Sequence, residues 1–114
     1  MTDLSMPKTT RAHAEKHHAL APGPDDAFYA FGEAVFAPGA LDVQTKQLIA
    51  VAVAHVTQCP WCIEAHVKAA SREGATGPQI MEAIWVADEM RAGAAFAYSI
   101  KTLELIDPGT DTPI

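Results

Sequence analysis

Two cysteines and two histidines share one short stretch of the chain, HVTQCPWCIEAH. Cys59 and Cys62 are three positions apart. His55 precedes the first cysteine by four positions, and His66 follows the second by four. Side chains of these types can bind zinc or form a thiol redox centre, and the cysteines can instead be small apolar side chains in a core. The elements that position the four residues decide between these chemistries.

The cysteine pair is predicted to lie at the start of a helix. Pro60 suits the first turn of that helix, which would carry CIEAHVKAASRE and end at Gly74. Cys59 then caps the helix, and Cys62 lies in its first turn. There the unpaired amide groups and the positive end of the helix dipole favour an anion, so a thiolate at Cys62 is stabilised.

His66 supplies the base that a thiol catalyst needs. It lies one turn beyond Cys62 on the same helix face, where it can accept the thiol proton or pass a proton to a leaving group. Cys59 is within disulfide reach and can act as the resolving thiol. A peroxide attacked by one thiolate gives a sulfenic acid, and the second thiol condenses with it to a disulfide.

Three other interpretations compete with this one. The cysteines can be buried apolar side chains, or the two cysteines and two histidines can bind zinc. Structural zinc sites usually join two knuckles separated by a loop, however, and all four candidates here straddle one helix junction. A thioredoxin-type site needs a βαβ setting, which this chain does not offer. We therefore predict no metal here and interpret His55 as a hydrogen-bonded histidine or as a group near the thiols.

The remaining pattern predicts an all-α fold. Residues 1–23 are polar and are interpreted as an arm or a poorly ordered lead-in, and residues 24–114 as one helical domain. The first domain helix begins at Pro24 and carries an apolar stripe. Asp42 can cap a second helix that runs to about Thr57 and is apolar on nearly every face, which is typical of a buried helix.

Two further signals concern the end of the domain. Thr76 and Gln79 have capping-box spacing for another helix. Gly93 predicts a kink or break before FAYSIKTLELI. The cysteine pair would therefore lie at the junction of two antiparallel helices in an oligomeric helical bundle.

Composition limits the function classes. The chain of 114 residues is one small domain, and a net charge of −6 without a basic cluster argues against a nucleic-acid partner. No apolar run is long enough for a membrane, and the first residues lack a signal core, so we expect a soluble cytoplasmic protein. Hydrophobic residues make up 49% of this short chain, and we expect the apolar surface left after folding to contact further copies.

From about Phe28 to Ile106 the chain resembles the carboxymuconolactone decarboxylase family, specifically its alkylhydroperoxidase D-like branch. The resemblance is carried by GALDVQTKQLIAVAVAHVTQCPWCIEAHVKAASREGAT and IMEAIWVADEMRAGAAFAY. It implies a helical bundle that assembles as a homo-trimer or homo-hexamer and acts as a peroxidase or disulfide reductase. The substrate would be a hydroperoxide or a disulfide, an unidentified thiol would act as the reductant, and no cofactor is implied.

The resemblance also implies roles for the motif residues. Cys62 corresponds to the peroxidatic cysteine, Cys59 to the resolving cysteine and proton donor, and His66 to the proton-relay histidine. The decarboxylases proper generally lack the cysteine pair, so decarboxylase activity is disfavoured.

The chain departs from the family at one relay position. The family commonly has a glutamate twelve positions before the first cysteine, where this chain has Gln47. An amide cannot accept and return a proton as a carboxylate does. One possibility is that the chain is less active, as a family member with a decayed proton relay would be. The other is that a different group takes the place of the glutamate in the relay. The candidates are Glu33 on the first domain helix, His55, and Glu64, which we expect to point elsewhere.

Other residues are weaker candidates. Trp61 lies between the cysteines, and its side chain either forms part of the pocket wall or packs against neighbouring residues without a role in the site. His13, His17 and His18 form a loose cluster in the arm, which we interpret as an exposed patch rather than a metal site.

Overall fold

The computed structural model describes residues 6–109, and every regular element in that range is a helix. The elements are α1 (Arg11–Leu20), α2 (Pro22–Phe36), α3 (Val43–Thr57), α4 (Pro60–Arg72) and α5 (Gly77–Ile106). The predicted all-α fold is therefore confirmed. Residues 1–5 and 110–114, the outer ends of the predicted arm and domain, lie outside the described residues. None of the helices described has the length and apolarity to cross a membrane.

Helix α3 is the centre of the fold and packs mainly on α4 and α5. Asp42 caps it as predicted, since its carboxylate accepts a hydrogen bond from the Thr45 amide at 2.7 Å. Val51 and Ala54 of α3 are buried at these contacts. The helix is not buried on all sides within one chain, however, because Ile49 and Val53 are about half exposed on its outer face.

The predicted ends of the next two helices are also found. Gly74 has φ +88°, a left-handed conformation that favours glycine, and it follows the end of α4. Thr76 and Gln79 form the predicted capping box at the start of α5. The prediction of a break at Gly93 is wrong, because α5 is helical from Gly77 to Ile106, and the alternative of a kink there stays a prediction. A single glycine costs a helix about 1 kcal/mol, which the neighbouring helix formers can offset.

The polar arm contains a helix that the sequence pattern did not predict. Thr10 caps α1 and forms a capping box with His13, whose ring nitrogen accepts from the Thr10 amide. A short link at Ala21 leads to α2, which begins at Pro22 rather than at Pro24. No residue of α1 is buried, so its position depends on polar contacts with α2. The division of the chain into an arm and a domain stays a prediction.

One chain leaves much of its apolar surface uncovered. It exposes 9276 Å², whereas a compact monomer of 12.1 kDa exposes about 6,000 Å². The C-terminal half of α5 is exposed on every face, although it carries the large apolar side chains Phe96, Tyr98, Ile100, Leu103, Leu105 and Ile106. A helix that is apolar all round is normally buried against other helices.

Candidate active site

The turn between α3 and α4 places the cysteine pair. Gln58 ends α3 in a left-handed conformation with φ 58°, and the Cys59 amide then donates to the carbonyl of Ala54 at 3.1 Å. Cys59 is the N-cap of α4, where its Sγ accepts a hydrogen bond from the Cys62 amide at 3.3 Å. The predicted location of the pair at a helix start is therefore found.

Cys59 and Cys62 are joined by a disulfide in this structure, with their Cα atoms 5.3 Å apart. That separation is usual for a disulfide, so the pair can close without moving the backbone. Both residues are half-buried. When the pair is reduced, the sulfur of Cys62 would lie in the first turn of α4, close to the amides that the helix leaves unpaired.

His66 is held on two sides. Its Nδ1 lies 2.8 Å from Oε1 of Gln47, and its ring stacks on Phe36 with centroids 5.3 Å apart and an interplanar angle of 22°. An amide oxygen only accepts hydrogen bonds, so Nδ1 carries the proton. In the neutral imidazole, Nε2 is then the nitrogen that can accept a proton.

Gln47 lies at the relay position that the resemblance singled out, and it is one of the few buried polar residues. The α3 helix places it beside α4, where it contacts the histidine directly. The amide therefore orients the imidazole and selects its tautomer, but it offers no acidic proton.

Cys62 and His66 line the same cavity, of about 460 Å³. Its walls are mostly apolar and come from the end of α2, the outer face of α3 and the start of α4; they include Val35, Phe36, Leu41, Ile49, Ala50 and Val53. Lys46 fixes one edge, because its Nζ donates to the carbonyls of Val35 at 2.8 Å and Ala37 at 2.5 Å. These bonds cap the last turn of α2 and hold it against α3.

The other candidate acids do not contact His66 within the described residues. Glu33 is exposed on α2 and is not part of the cavity wall. Glu64 forms an exposed ion pair with Lys68 at 2.8 Å, and the hydrogen bond from Lys68 lowers the pKa of the Glu64 carboxyl. Glu64 thus points away from His66, as its position in the motif suggested.

His55 and Trp61 make contacts outside the cavity wall. Nδ1 of His55 lies 2.8 Å from the carbonyl oxygen of Val51, one turn earlier in the same helix, and donates to it. This matches the interpretation of His55 as a hydrogen-bonded histidine. Trp61 donates its indole N–H to the carbonyl of Pro7 at 2.8 Å, so it ties the N-terminal segment to the start of α4.

Two contacts of the site were not predicted. The stacking of Phe36 on His66 depends on how α2 crosses α3, and the sequence shows only that Phe36 belongs to an apolar stripe. The bonds from Lys46 to the end of α2 depend on the same crossing. The only sequence signal for either is the short APGA connection, which keeps the end of α2 close to the start of α3.

A disulfide-forming CxxC at a helix start, a histidine one turn on and an all-helical setting occur together here, and residues 22–105 match the model of the carboxymuconolactone decarboxylase family. The chain belongs to this family. Its CxxCxxxH motif is consistent with the alkylhydroperoxidase D-like branch within the carboxymuconolactone decarboxylase family.

Relatives with known sequences or structures agree with this assignment. Uncharacterized protein 4 in the cox locus of Paracoccus denitrificans is 66% identical over 107 residues, which cover 94% of this chain and 96% of that one. The structure of a carboxymuconolactone decarboxylase family protein from Legionella pneumophila is 32% identical, with a TM-score of 0.67, and covers 82% of this chain and 83% of that one.

A Thermotoga maritima family member has the same fold at 26% identity and a TM-score of 0.62, covering 82% of this chain and 88% of that chain. Its description suggests involvement in an antioxidative response. That suggestion concerns the Thermotoga protein.

Proposed function

We propose that this family member is a thiol-dependent peroxidase that reduces an organic hydroperoxide with an apolar substituent. The observation that carries the proposal is the placement of Cys62 and His66 in one apolar cavity at the start of α4. The antioxidative role suggested for the Thermotoga relative supports the same class of reaction. A cavity of about 460 Å³ accommodates a small organic molecule.

The reaction begins with Cys62 as the nucleophile. Its thiolate attacks the terminal peroxide oxygen, the O–O bond breaks, and the alkoxide takes a proton to leave as an alcohol. Cys62 becomes a sulfenic acid. His66 is the group in the cavity that can hold the thiol proton on Nε2 and return it to the leaving oxygen.

The second half of the cycle uses Cys59. Its sulfur attacks the sulfenic sulfur of Cys62, water leaves, and the disulfide forms. The disulfide present in the structure corresponds to this product. An external dithiol must then reduce it by thiol–disulfide exchange. Such a cycle needs a reducing compartment, and we infer that the protein acts in the cytoplasm.

The roles of the two cysteines follow from their surroundings. Cys62 lies in the first turn of α4 and lines the same cavity as His66, which is one turn further along the helix. Cys59 is the cap of the helix and is not part of the cavity wall. We therefore assign Cys62 as the peroxidatic and Cys59 as the resolving cysteine.

A disulfide-containing protein is the less favoured substrate. Attack on a protein disulfide needs an exposed sulfur, whereas Cys62 is half-buried at a cavity with apolar walls. An apolar hydroperoxide gains by leaving water for such a cavity. Cumene hydroperoxide should accordingly be reduced with a lower KM than hydrogen peroxide.

One observation favours a second candidate function. Gln47 cannot take part in proton transfer, so this chain could be a family member whose relay has decayed and which serves as an assembling scaffold. The two candidate functions differ in the rate of peroxide consumption. A scaffold would react with peroxide no faster than an ordinary thiol does, whereas a peroxidase would react faster.

We also propose that the protein is a homo-oligomer, a trimer or a hexamer. The support is the set of large apolar side chains that one chain leaves exposed, together with a total accessible area of 9276 Å² against about 6,000 Å² for a compact monomer. An excess of roughly 3,000 Å² is within the range that obligate interfaces bury.

The proposed activity is tested by mixing the reduced protein with cumene hydroperoxide in a stopped-flow instrument. We expect one disulfide to form for each peroxide consumed. Cys62→Ser should slow peroxide consumption at least about a hundredfold. Cys59→Ser should complete one reduction and stop as a sulfenic acid, which dimedone traps. Unchanged turnover in Cys62→Ser would rule out the mechanism.

A further inference from the structure

Two histidines and two aspartates meet where α1 turns into α2. His17 and His18 are in the last turn of α1, and Asp25 and Asp26 follow each of them by eight residues at the start of α2. Nδ1 of His17 lies 2.6 Å from Oδ1 of Asp25. Nε2 of His18 lies 2.8 Å from Oδ1 of Asp26. The doubled spacing thus produces two parallel imidazole–carboxylate pairs.

The two pairs also converge on one another. Ligand atoms of His18, Asp25 and Asp26 all lie within 4.8 Å of one another, and His17 adjoins this group through Asp25. Asp25 is 8% exposed, so a carboxylate has been placed in a largely buried position at this junction. Carboxylates are seldom buried without a cationic or metal partner.

Space is present beside the buried carboxylate. A cavity of about 330 Å³ is lined by His17 and Asp25 together with His13, Phe28 and Tyr29. Two histidines, His13 and His17, therefore line this opening, whereas His18 and Asp26 are not part of its wall. The cavity is separate from the one that contains Cys62 and His66 and shares no lining residue with it.

We propose that this junction is a Zn²⁺ site, with His18, Asp25 and Asp26 as the protein ligands and water in the fourth position. Imidazole nitrogen and carboxylate oxygen are both zinc ligands, and three protein ligands with one water form a known tetrahedral set. Tetrahedral zinc places its ligand atoms about 3.3 Å apart, given bonds of about 2.0–2.1 Å. The ligand atoms of His18 and Asp26 are 2.8 Å apart, and all three ligand atoms lie within 4.8 Å of one another, so the present separations bracket that value.

Side-chain rotation alone could bring the ligands to the zinc geometry. His18 and Asp26 are 48% and 72% exposed, so two of the three side chains have room to turn. Two carboxylates and one neutral imidazole give the set a formal charge of −2, which favours a divalent cation. Zinc would replace the hydrogen bond between His18 and Asp26, and His17 would remain hydrogen-bonded to the ligand Asp25.

A metal at this point would clamp α1 to α2. No residue of α1 is buried, so the two pairs are the main attachment of α1 to the fold. The segment before α1 reaches the start of α4, where Trp61 donates to the carbonyl of Pro7. Zinc would therefore stabilise α1 and, through it, the preceding segment that contacts the cysteine-bearing helix α4 at Trp61.

Isothermal titration of the oxidised protein with Zn²⁺ tests the proposal, because the disulfide removes both thiols as ligands. We expect one zinc per chain and no comparable binding of Mg²⁺, which prefers oxygen ligands. The variant His18→Gln/Asp26→Asn should bind zinc more than about tenfold more weakly. Glu15→Gln, which removes a charge from α1 outside the two pairs, and Cys59→Ser/Cys62→Ser should bind as the wild type does.

A second measurement covers the case in which the double variant loses α1. Co²⁺ bound to the wild type should give the intense visible bands of a tetrahedral site, and Asp26→Asn should weaken them without a change in helix content by circular dichroism. Absence of zinc uptake by the oxidised wild type would overturn the proposal. Equal affinity in the His18→Gln/Asp26→Asn variant with α1 intact would overturn it too.

Discussion

Gln47 of α3 accepts a hydrogen bond from Nδ1 of His66 on α4, at 2.8 Å, where the family commonly has a glutamate. The amide maintains the orientation of the imidazole and the tautomer in which Nε2 is the basic nitrogen. It does not let a proton move on from Nδ1. In the proposed mechanism, this contact therefore supplies the positioning of His66 but no proton transfer.

Gln47→Glu should raise the rate of peroxide reduction. A carboxylate at this position can accept the Nδ1 proton as His66 becomes charged, and we expect kcat/KM to rise about tenfold or more. Stopped-flow kinetics with cumene hydroperoxide provide the measurement. Gln79→Glu is a matched control, because it adds the same charge at the start of α5 and can keep the capping box. Equal rates in Gln47→Glu and the wild type would favour the scaffold function.

Phe36→Ala should impair the site through His66. The ring of Phe36 stacks on the imidazole, and aromatic pairs contribute about 0.5–1.5 kcal/mol beyond the area they bury. We expect kcat/KM to fall between about twofold and tenfold, with a greater effect on kcat than on KM. Phe36→Leu retains most of the bulk of the cavity wall but not the stacking. If both variants keep wild-type kcat, the stack has no catalytic role.

Asp42 should make the stability of the protein depend on pH in the acid range. The hydrogen bond from the Thr45 backbone lowers the pKa of the Asp42 carboxyl below its ordinary value of 3.8. The folded state thus favours the ionised form, so the stabilisation is present above pH 3.8 and is lost as the pH falls through the lower folded pKa.

This pH effect can be isolated by comparing two variants. Asp42→Asn retains an oxygen acceptor for the cap but no charge, so it should reduce the loss of stability below pH 4. Asp42→Ala lacks the cap and should be less stable at every pH. Urea unfolding at several pH values measures both. Parallel pH profiles for the wild type and Asp42→Asn would contradict the assignment.

Charges on the exposed half of α5 should break up the proposed oligomer. Phe96 and Ile100 are one turn apart on α5, and 80% and 69% of their surfaces are exposed in one chain. A carboxylate buried at either position would cost several kcal/mol. Sedimentation velocity should show a trimer or hexamer for the wild type and smaller species for Phe96→Glu and Ile100→Glu. Lys101→Glu, which changes an already polar position, serves as the control.

Local signals in the sequence were sufficient for most of the fold. The cap at Asp42, the capping box at Thr76 and the proline at the start of α4 act over a few residues, and each was found where the sequence placed it. A break at Gly93 was wrongly predicted because a glycine weakens a helix only slightly, and the surrounding residues favour helix. α1 was missed because it has no apolar stripe, and its attachment depends on side chains eight residues away.

The candidate site was predictable to a smaller extent. Cys62 and His66 lie on α4, and Cys59 caps that helix. The relative positions of the three residues therefore follow from helix periodicity. Gln47 could be placed only through the family resemblance, since no local rule brings α3 and α4 together at that point. The stacking of Phe36 depends on how α2 crosses the bundle, which the spacing of apolar residues does not specify.

The exposed C-terminal half of α5 has a consequence for how the protein acquires its structure. A segment of that length and composition is marginal as an isolated helix in water. In the proposed oligomer, its formation and its capture by another subunit would be a single event, and the melting temperature should rise with protein concentration. Newly synthesised chains of that oligomer would complete their folding only on meeting one another, so dilution alone should unfold this end of the molecule.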